Sequence, residues 1–166
     1  LMDFARPRSS GLIAIELEDD NTLIGASVTD GASDVMLFSS GGRAIRFKEQ
    51  DVRAMGRSAR GVRGIKLRAS EAVISLIIPN AEGTLLLASE KGYGKRTPVE
   101  EFSVIGRGGQ GVISMKLSER NGSLVGVAQV GSGFEVLLIS DQGTMVRTRV
   151  DEVSTLGRNT QGVRLI

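Results

Sequence analysis

The sequence predicts an all-β protein made of repeated four-stranded antiparallel units of about 50 residues, arranged in the manner of propeller blades. Three observations lead there. Apolar runs of strand length recur at spacings of 50 and 51 residues: Val35-Met36-Leu37-Phe38-Ser39, Leu85-Leu86-Leu87-Ala88-Ser89 and Val136-Leu137-Leu138-Ile139-Ser140. A glycine turn follows each, at Gly42, Gly92 and Gly143. The 22 glycines point to many tight turns, whereas helix punctuation is scarce.

The register then holds through each unit. Met55-Gly56-Arg57, Ile105-Gly106-Arg107 and Leu156-Gly157-Arg158 recur at 50 and 51 residues, as do Arg60-Gly61-Val62, Gln110-Gly111-Val112 and Gln161-Gly162-Val163. Within a unit the first strand is the serine-ended run. The second shows best at Ile45-Arg46-Phe47-Lys48, where apolar and basic residues alternate as they do on a strand with one face in and one out. A glycine-containing loop leads to a third strand at Val112 to Leu117, an Asn121-Gly122 hairpin signal follows, and Leu124 to Val130 closes the unit. Ser10-Gly11-Leu12 fits the same frame, so the expected divisions are 1–34 (second half of a preceding repeat), 35–83, 84–134 and 135–166, the last stopping short of its final strand. With Leu1 at its start, the chain is expected to be a fragment supplying about three repeats of a larger ring. Its incomplete terminal blades should leave strand edges seeking partners, a route to self-association.

Composition excludes several chemistries. There is no histidine and no cysteine, which removes disulfide frameworks, thiol nucleophiles, zinc sites of the usual kind and Ser-His or Cys-His catalysis. No apolar stretch approaches the roughly 20 residues that span a bilayer, so a cytoplasmic location without membrane contact is expected. Tyr93, the sole tyrosine, sits between two glycines in a hairpin with no base or metal cluster beside it. It reads as a turn or backbone-contact residue, not a nucleophile. The acidic run Glu18-Asp19-Asp20 lacks regular loop-ligand spacing and reads as a solvated turn.

Charge is small in total, +2, but unevenly spread: −5 over residues 1–34, +5 over 35–83, +2 over 84–134 and zero over 135–166. Arg53, Arg57, Arg60, Arg63, Lys66 and Arg68 follow one another with no acidic residue between them, the electrostatic footprint of a polyanion partner. Arg46, Arg96 and Arg147 share one place on the second strand of successive repeats, expected to face outward and meet phosphate. Arg57, Arg107 and Arg158 recur after a turn glycine, where an arginine can contact phosphate or equally hydrogen-bond a loop carbonyl. Lys66 and Lys116 occupy one position on the third strand, where the preceding half-repeat has Glu16. The candidate DNA-contacting set is completed by Arg43, Lys48, Arg60, Arg63, Lys91, Lys95 and Arg149. Aromatics make up only 4% of the chain, which argues against single-strand recognition by base stacking.

Several segments carry a resemblance to a known family. Val52-Arg53-Ala54-Met55-Gly56-Arg57, Gly61-Val62-Arg63-Gly64-Ile65-Lys66-Leu67, Gly92-Tyr93-Gly94-Lys95-Arg96-Thr97, Val146-Arg147-Thr148-Arg149-Val150 and Gly157-Arg158-Asn159-Thr160-Gln161-Gly162-Val163 closely resemble the C-terminal domain of bacterial DNA gyrase A. The likeness covers essentially the whole chain. It implies a β-pinwheel of about six blades whose blades exchange a strand with their neighbours, with duplex DNA wrapped on a basic rim. The family's role is to set the crossing that ATP-driven strand passage turns into negative supercoils. The resemblance also implies an A2B2 holoenzyme formed with gyrase B and the remainder of gyrase A. ATP and magnesium sites would lie elsewhere in that assembly, with no cofactor here. The signature heptapeptide of the family (glutamine-arginine-arginine-glycine-glycine-lysine-glycine) is not present as such. Its nearest echo is Ile105-Gly106-Arg107-Gly108-Gly109-Gln110-Gly111, which keeps one arginine and three glycines. The alternatives are a propeller-like interaction scaffold and the related C-terminal domain of topoisomerase IV.

Overall fold

The computed structural model describes residues 2–80 and 82–166. Ten short strands carry the fold: β1 Asp34–Ser39, β2 Arg43–Lys48, β3 Val73–Ile77, β4 Thr84–Ser89, β5 Tyr93–Pro98, β6 Val112–Ile113, β7 Leu124–Val130, β8 Glu135–Ile139, β9 Met145–Arg149 and β10 Val163–Arg164. Three-residue 3-10 turns follow the second strand of each repeat, at Glu49–Asp51, Val99–Glu101 and Val150–Glu152.

Each hairpin forms where the serine-ended run meets its glycine turn. β1 and β2 pair antiparallel from Asp34↔Lys48 to Phe38↔Ala44, β4 and β5 from Thr84↔Pro98 to Ala88↔Gly94, and β8 and β9 from Glu135↔Arg149 to Ile139↔Met145. The strand that closes a repeat adds to the free edge of the first, giving β3 beside β1 and β7 beside β4. The fourth strand of each sheet comes from the next repeat. The orders are β3-β1-β2-β6 and β10-β5-β4-β7. Thus β6 lies against β2 through Arg43↔Ile113 and Ala44↔Val112, and β10 against β5 through Tyr93↔Arg164 and Gly94↔Val163.

This exchange corrects one detail of the sequence reading. The expected third strand, 112–117, is regular only over Val112–Ile113, and it completes the preceding blade, not its own. The recurring glycine just before it explains itself here. Gly111 and Gly162 have φ of +68° and +79°, and a Cβ on either would collide with the backbone carbonyl of Ala44 or of Gly94. The swapped strand approaches too closely for a side chain at that point.

Because the two four-stranded blades pack on neighbours at both faces, both sets of alternating side chains of their hairpins are largely buried. Met36, Phe38 and Ala44 face the second repeat and share a cluster with Leu85, Leu87, Val99, Phe102, Met115 and Leu124. Phe38 and Phe102 meet edge-on, ring centroids 6.1 Å apart at 75°. The opposite face of the first blade gathers Ile45, Phe47 and Ile65, while Leu86, Val130, Val150 and Val153 bind the second repeat to the third. At the two ends of the chain apolar side chains remain uncovered: Leu23, Ile24 and Val28 before β1, and Leu137, Ile139 and Met145 on the β8–β9 hairpin.

Candidate nucleic-acid interface

The cations divide into those that stitch repeats together and those left to solvent. Arg46 belongs to the first kind. It stands opposite Met36 on the face turned toward the next repeat, with only 19% of its side chain exposed. Its Nε donates to Asp34 at 2.8 Å and its Nη1 to the carbonyls of Val99 and Phe102 at 3.2 and 3.0 Å. Arg96 repeats the arrangement one blade on: Nε donates to Val153 O at 2.8 Å and the other nitrogens reach Asp151, with 16% of the side chain exposed. The expectation that this position faces outward is therefore corrected at Arg46 and Arg96. Arg147 is 72% exposed and paired with Glu135.

Lys95 is a second correction. It is wholly buried, and its Nζ donates to the carbonyls of Gly157 and Arg158 at 2.7 and 2.6 Å and to Thr160 Oγ1 at 3.1 Å. Burial pulls its pKa down to about 8, against the opposing charge of Glu101. No part of it reaches a ligand surface. Asp34 shows the converse balance. Burial resists its ionisation, but hydrogen bonds from Lys48 and Arg46 outweigh that and hold its carboxyl below the usual range.

The arginine after the turn glycine takes the loop-carbonyl role in all three repeats, and each time the carbonyl belongs to the repeat before. Arg57 Nη1 donates to Ile13 O at 2.9 Å, Arg107 Nη1 to Arg63 O at 3.1 Å and Arg158 Nη1 to Ile113 O at 3.1 Å. Arg43 is half-buried, with Nη1 on Gly111 O across the swapped strand. Arg60 pairs with Glu16 and Glu18, and Lys91 donates to Glu119 O. Lys48 is half-exposed beside Asp34.

Of the candidate set, Arg63, Lys66, Lys116 and Arg149 remain open, joined by Arg53 and Arg68 from the same basic run. All six are exposed and none has an ion-pair partner among the described residues. Lys48 and Arg149 both stand at the entrance to the 3-10 turn after a second strand. Tyr93 begins β5, and its hydroxyl accepts from Arg120 Nε at 3.2 Å while the guanidinium lies 5.0 Å from the ring centre. That hydrogen bond lowers the phenol's pKa. The acidic run forms a turn closed by Asn21 N to Glu18 O, and no three acidic residues converge on a metal-sized site among the described residues. No helix there is long and apolar enough to cross a membrane.

The family described as DNA gyrase C-terminal domain, beta-propeller, matches residues 3–30, 33–80, 83–130 and 135–166. The chain belongs to it. The DNA gyrase A protein of Pseudomonas aeruginosa is 61% identical over 166 residues, all of this chain and 18% of that protein. That of Escherichia coli K12 is 51% identical over 166 residues, again the whole chain and 19% of the relative. The chain thus spans about a fifth of the length of these relatives. A solved DNA gyrase A C-terminal domain superposes with a TM-score of 0.87 at 31% identity, covering 99% of this chain and 55% of that one. The C-terminal domain of DNA topoisomerase IV reaches 0.91 at 22% identity, covering 99% and 52%, a likeness of fold alone. The gyrase-family fold and the strand-exchanged blades agree with what the sequence resemblance implied.

Proposed function

We propose that this chain is a duplex-DNA-binding segment of a DNA gyrase A protein, holding DNA along its blades by charge and performing no chemistry on it. The observation that carries the reading is the set of uncommitted cations. Arg53, Arg63, Lys66 and Arg68 crowd the segment of highest positive charge, and Lys116 and Arg149 extend the series into the next two repeats. Bending a duplex costs several kcal/mol by elastic estimates, so contacts distributed from blade to blade are what a wrapped path requires. In the complete protein, within an A2B2 assembly with gyrase B, such wrapping would set the crossing that ATP-dependent strand passage converts to negative supercoils. ATP and magnesium would act elsewhere in that assembly, in the bacterial cytoplasm on the nucleoid. The higher sequence identity to gyrase A than to topoisomerase IV favours the gyrase assignment.

Binding should be indifferent to sequence and steep in salt. With about six phosphates neutralised, affinity should fall roughly 10³-fold between 50 and 200 mM salt. A linear duplex titrated across that range tests this, and no binding at low salt would favour an interaction scaffold. Relaxing a closed circular plasmid with a nicking-closing enzyme while the chain is bound then tests wrapping: a shifted linking number supports it. The uncovered apolar ends should also self-associate, and light scattering showing a strict monomer at high concentration would contradict that.

A further inference from the structure

We infer that Arg107 and Arg158 are positioning residues for DNA contact, each gripping the preceding repeat so that its cations stand at fixed places; this rests on the DNA-binding reading above. The grip is a two-point clamp with the same register at every junction. The arginine donates to the carbonyl of one residue, and the carbonyl two residues past the arginine accepts from the amide three residues past that one.

At the middle junction, Arg107 Nη1 meets Arg63 O at 3.1 Å and Lys66 N donates to Gly109 O at 2.8 Å. At the last, Arg158 Nη1 meets Ile113 O at 3.1 Å and Lys116 N donates to Thr160 O at 2.9 Å. At the first, Arg57 Nη1 meets Ile13 O at 2.9 Å and Glu16 N donates to Ala59 O at 3.2 Å. The clamped residue is thus Glu16, then Lys66, then Lys116. Lysine carries its charge on a flexible four-carbon stem, so its place in space depends on where its backbone is held.

Arg107 does more than its equivalents. Its Nε also donates to Asp51 O at 2.8 Å, so one guanidinium ties both ends of the 51–63 loop, which carries Arg53 and Arg63. Arg158 Nε is buried with no partner, and the loop it borders has no such tie. The three clamps therefore differ in what they present: a whole basic loop and Lys66, Lys116 alone, or an acidic residue.

Duplex binding against salt for Arg107→Ala, Arg158→Ala and Arg57→Ala should follow that order. Arg107→Ala should lose the most affinity and about one to two units of salt slope, Arg158→Ala about one, and Arg57→Ala none. The double variant Arg107→Ala with Lys66→Ala should bind hardly worse than Arg107→Ala, because the lysine's contribution has already been lost. Equal loss from Arg57→Ala and Arg107→Ala, or fully additive losses in the double variant, would overturn the inference. If Arg107→Ala fails to fold by circular dichroism, Arg158→Ala with Lys116→Ala provides the same cycle with the same two readings. A parent chain that does not bind duplex even at low salt would overturn the DNA-binding reading and the inference together, whereas additive losses in a binding chain would sink the inference alone.

Discussion

The loop that each repeat sends over the blade before it meets an apolar surface in one case and a polar one in the next. On the first full repeat, the face of β2 turned away from Met36 and Phe38 presents Ile45 and Phe47, which cluster with Ile65; the loop from the second repeat reaches this face, where a methyl built on Gly109 would touch Ile45 Cδ1 at 3.9 Å. On the second, β5 presents Lys95 and Thr97 at the same register to the loop from the third. Lys95 spends its ammonium on the 157–160 loop, and Thr97 Oγ1 donates to Leu156 O at 2.9 Å. Around both surfaces the arginine staple, the swapped strand and the left-handed glycine are the same. The backbone repeat therefore fixes where the loop docks, and the surface beneath it accepts apolar or polar content provided each buried donor finds an acceptor.

The largest effect expected from breaking this scheme is at Phe102, wholly buried and edge-on to Phe38. Phe102→Ala should cost about 3–5 kcal/mol in chemical denaturation. Next come the staples. Arg46→Ala strips Asp34 of one partner and leaves Phe102 O without its donor, while Val99 O keeps the amide of Phe102, so it should cost about 2–4 kcal/mol. Arg96→Ala should fall in the same range, whereas Arg147→Ala, whose pair is exposed, should change stability by less than about 0.5 kcal/mol. Similar losses at all three would mean that the junction contacts are not what the repeated arginine is for.

Lys95 gives a smaller effect with a distinctive pH signature. Its folded pKa of about 8 lies below the ordinary 10.5, so from about pH 8 upward the folded chain releases a proton that the unfolded chain retains. The unfolded state then binds more protons, and stability should rise between those two values. Lys95→Met should remove this component of the rise. At pH 7 it should change stability by no more than about 1 kcal/mol, since relief of the buried charge offsets lost hydrogen bonds and Gly157 O keeps a bond from Thr160 Oγ1. At acid pH the same sign applies at Asp34, whose pKa is also lowered: its contribution should be lost as pH falls below the ordinary carboxylate range and through its lowered pKa. A melting series against pH on parent and variant checks both.

Much of the fold is legible in the sequence because its determinants are local. The serine-ended runs, the turn glycines and the closing strand at Leu124–Val130 stand where the pattern puts them. Strand exchange is not readable from the residues themselves, since nothing local tells Val112 to seek Ala44 in the preceding blade; the family resemblance alone implies it. The alternation Ile45-Arg46-Phe47-Lys48 reads as one buried and one solvated face, as in an open sheet. Here neighbours cover both faces, so Arg46 points into a junction. A residue recurring once per repeat fits a binding rim and a blade junction equally well, and recurrence alone does not separate them. Lys95 escapes the sequence reading because lysine is almost never fully buried. The available signal is that it takes the register of Ile45 and Val146.

Stitched arginines build the wall while uncommitted cations grip DNA. The most direct test is duplex affinity against salt for a chain carrying Arg63→Ala, Lys66→Ala and Lys116→Ala together. The expected result is a salt slope shallower by about three units at an unchanged melting temperature. A slope equal to the parent's would contradict this division of labour.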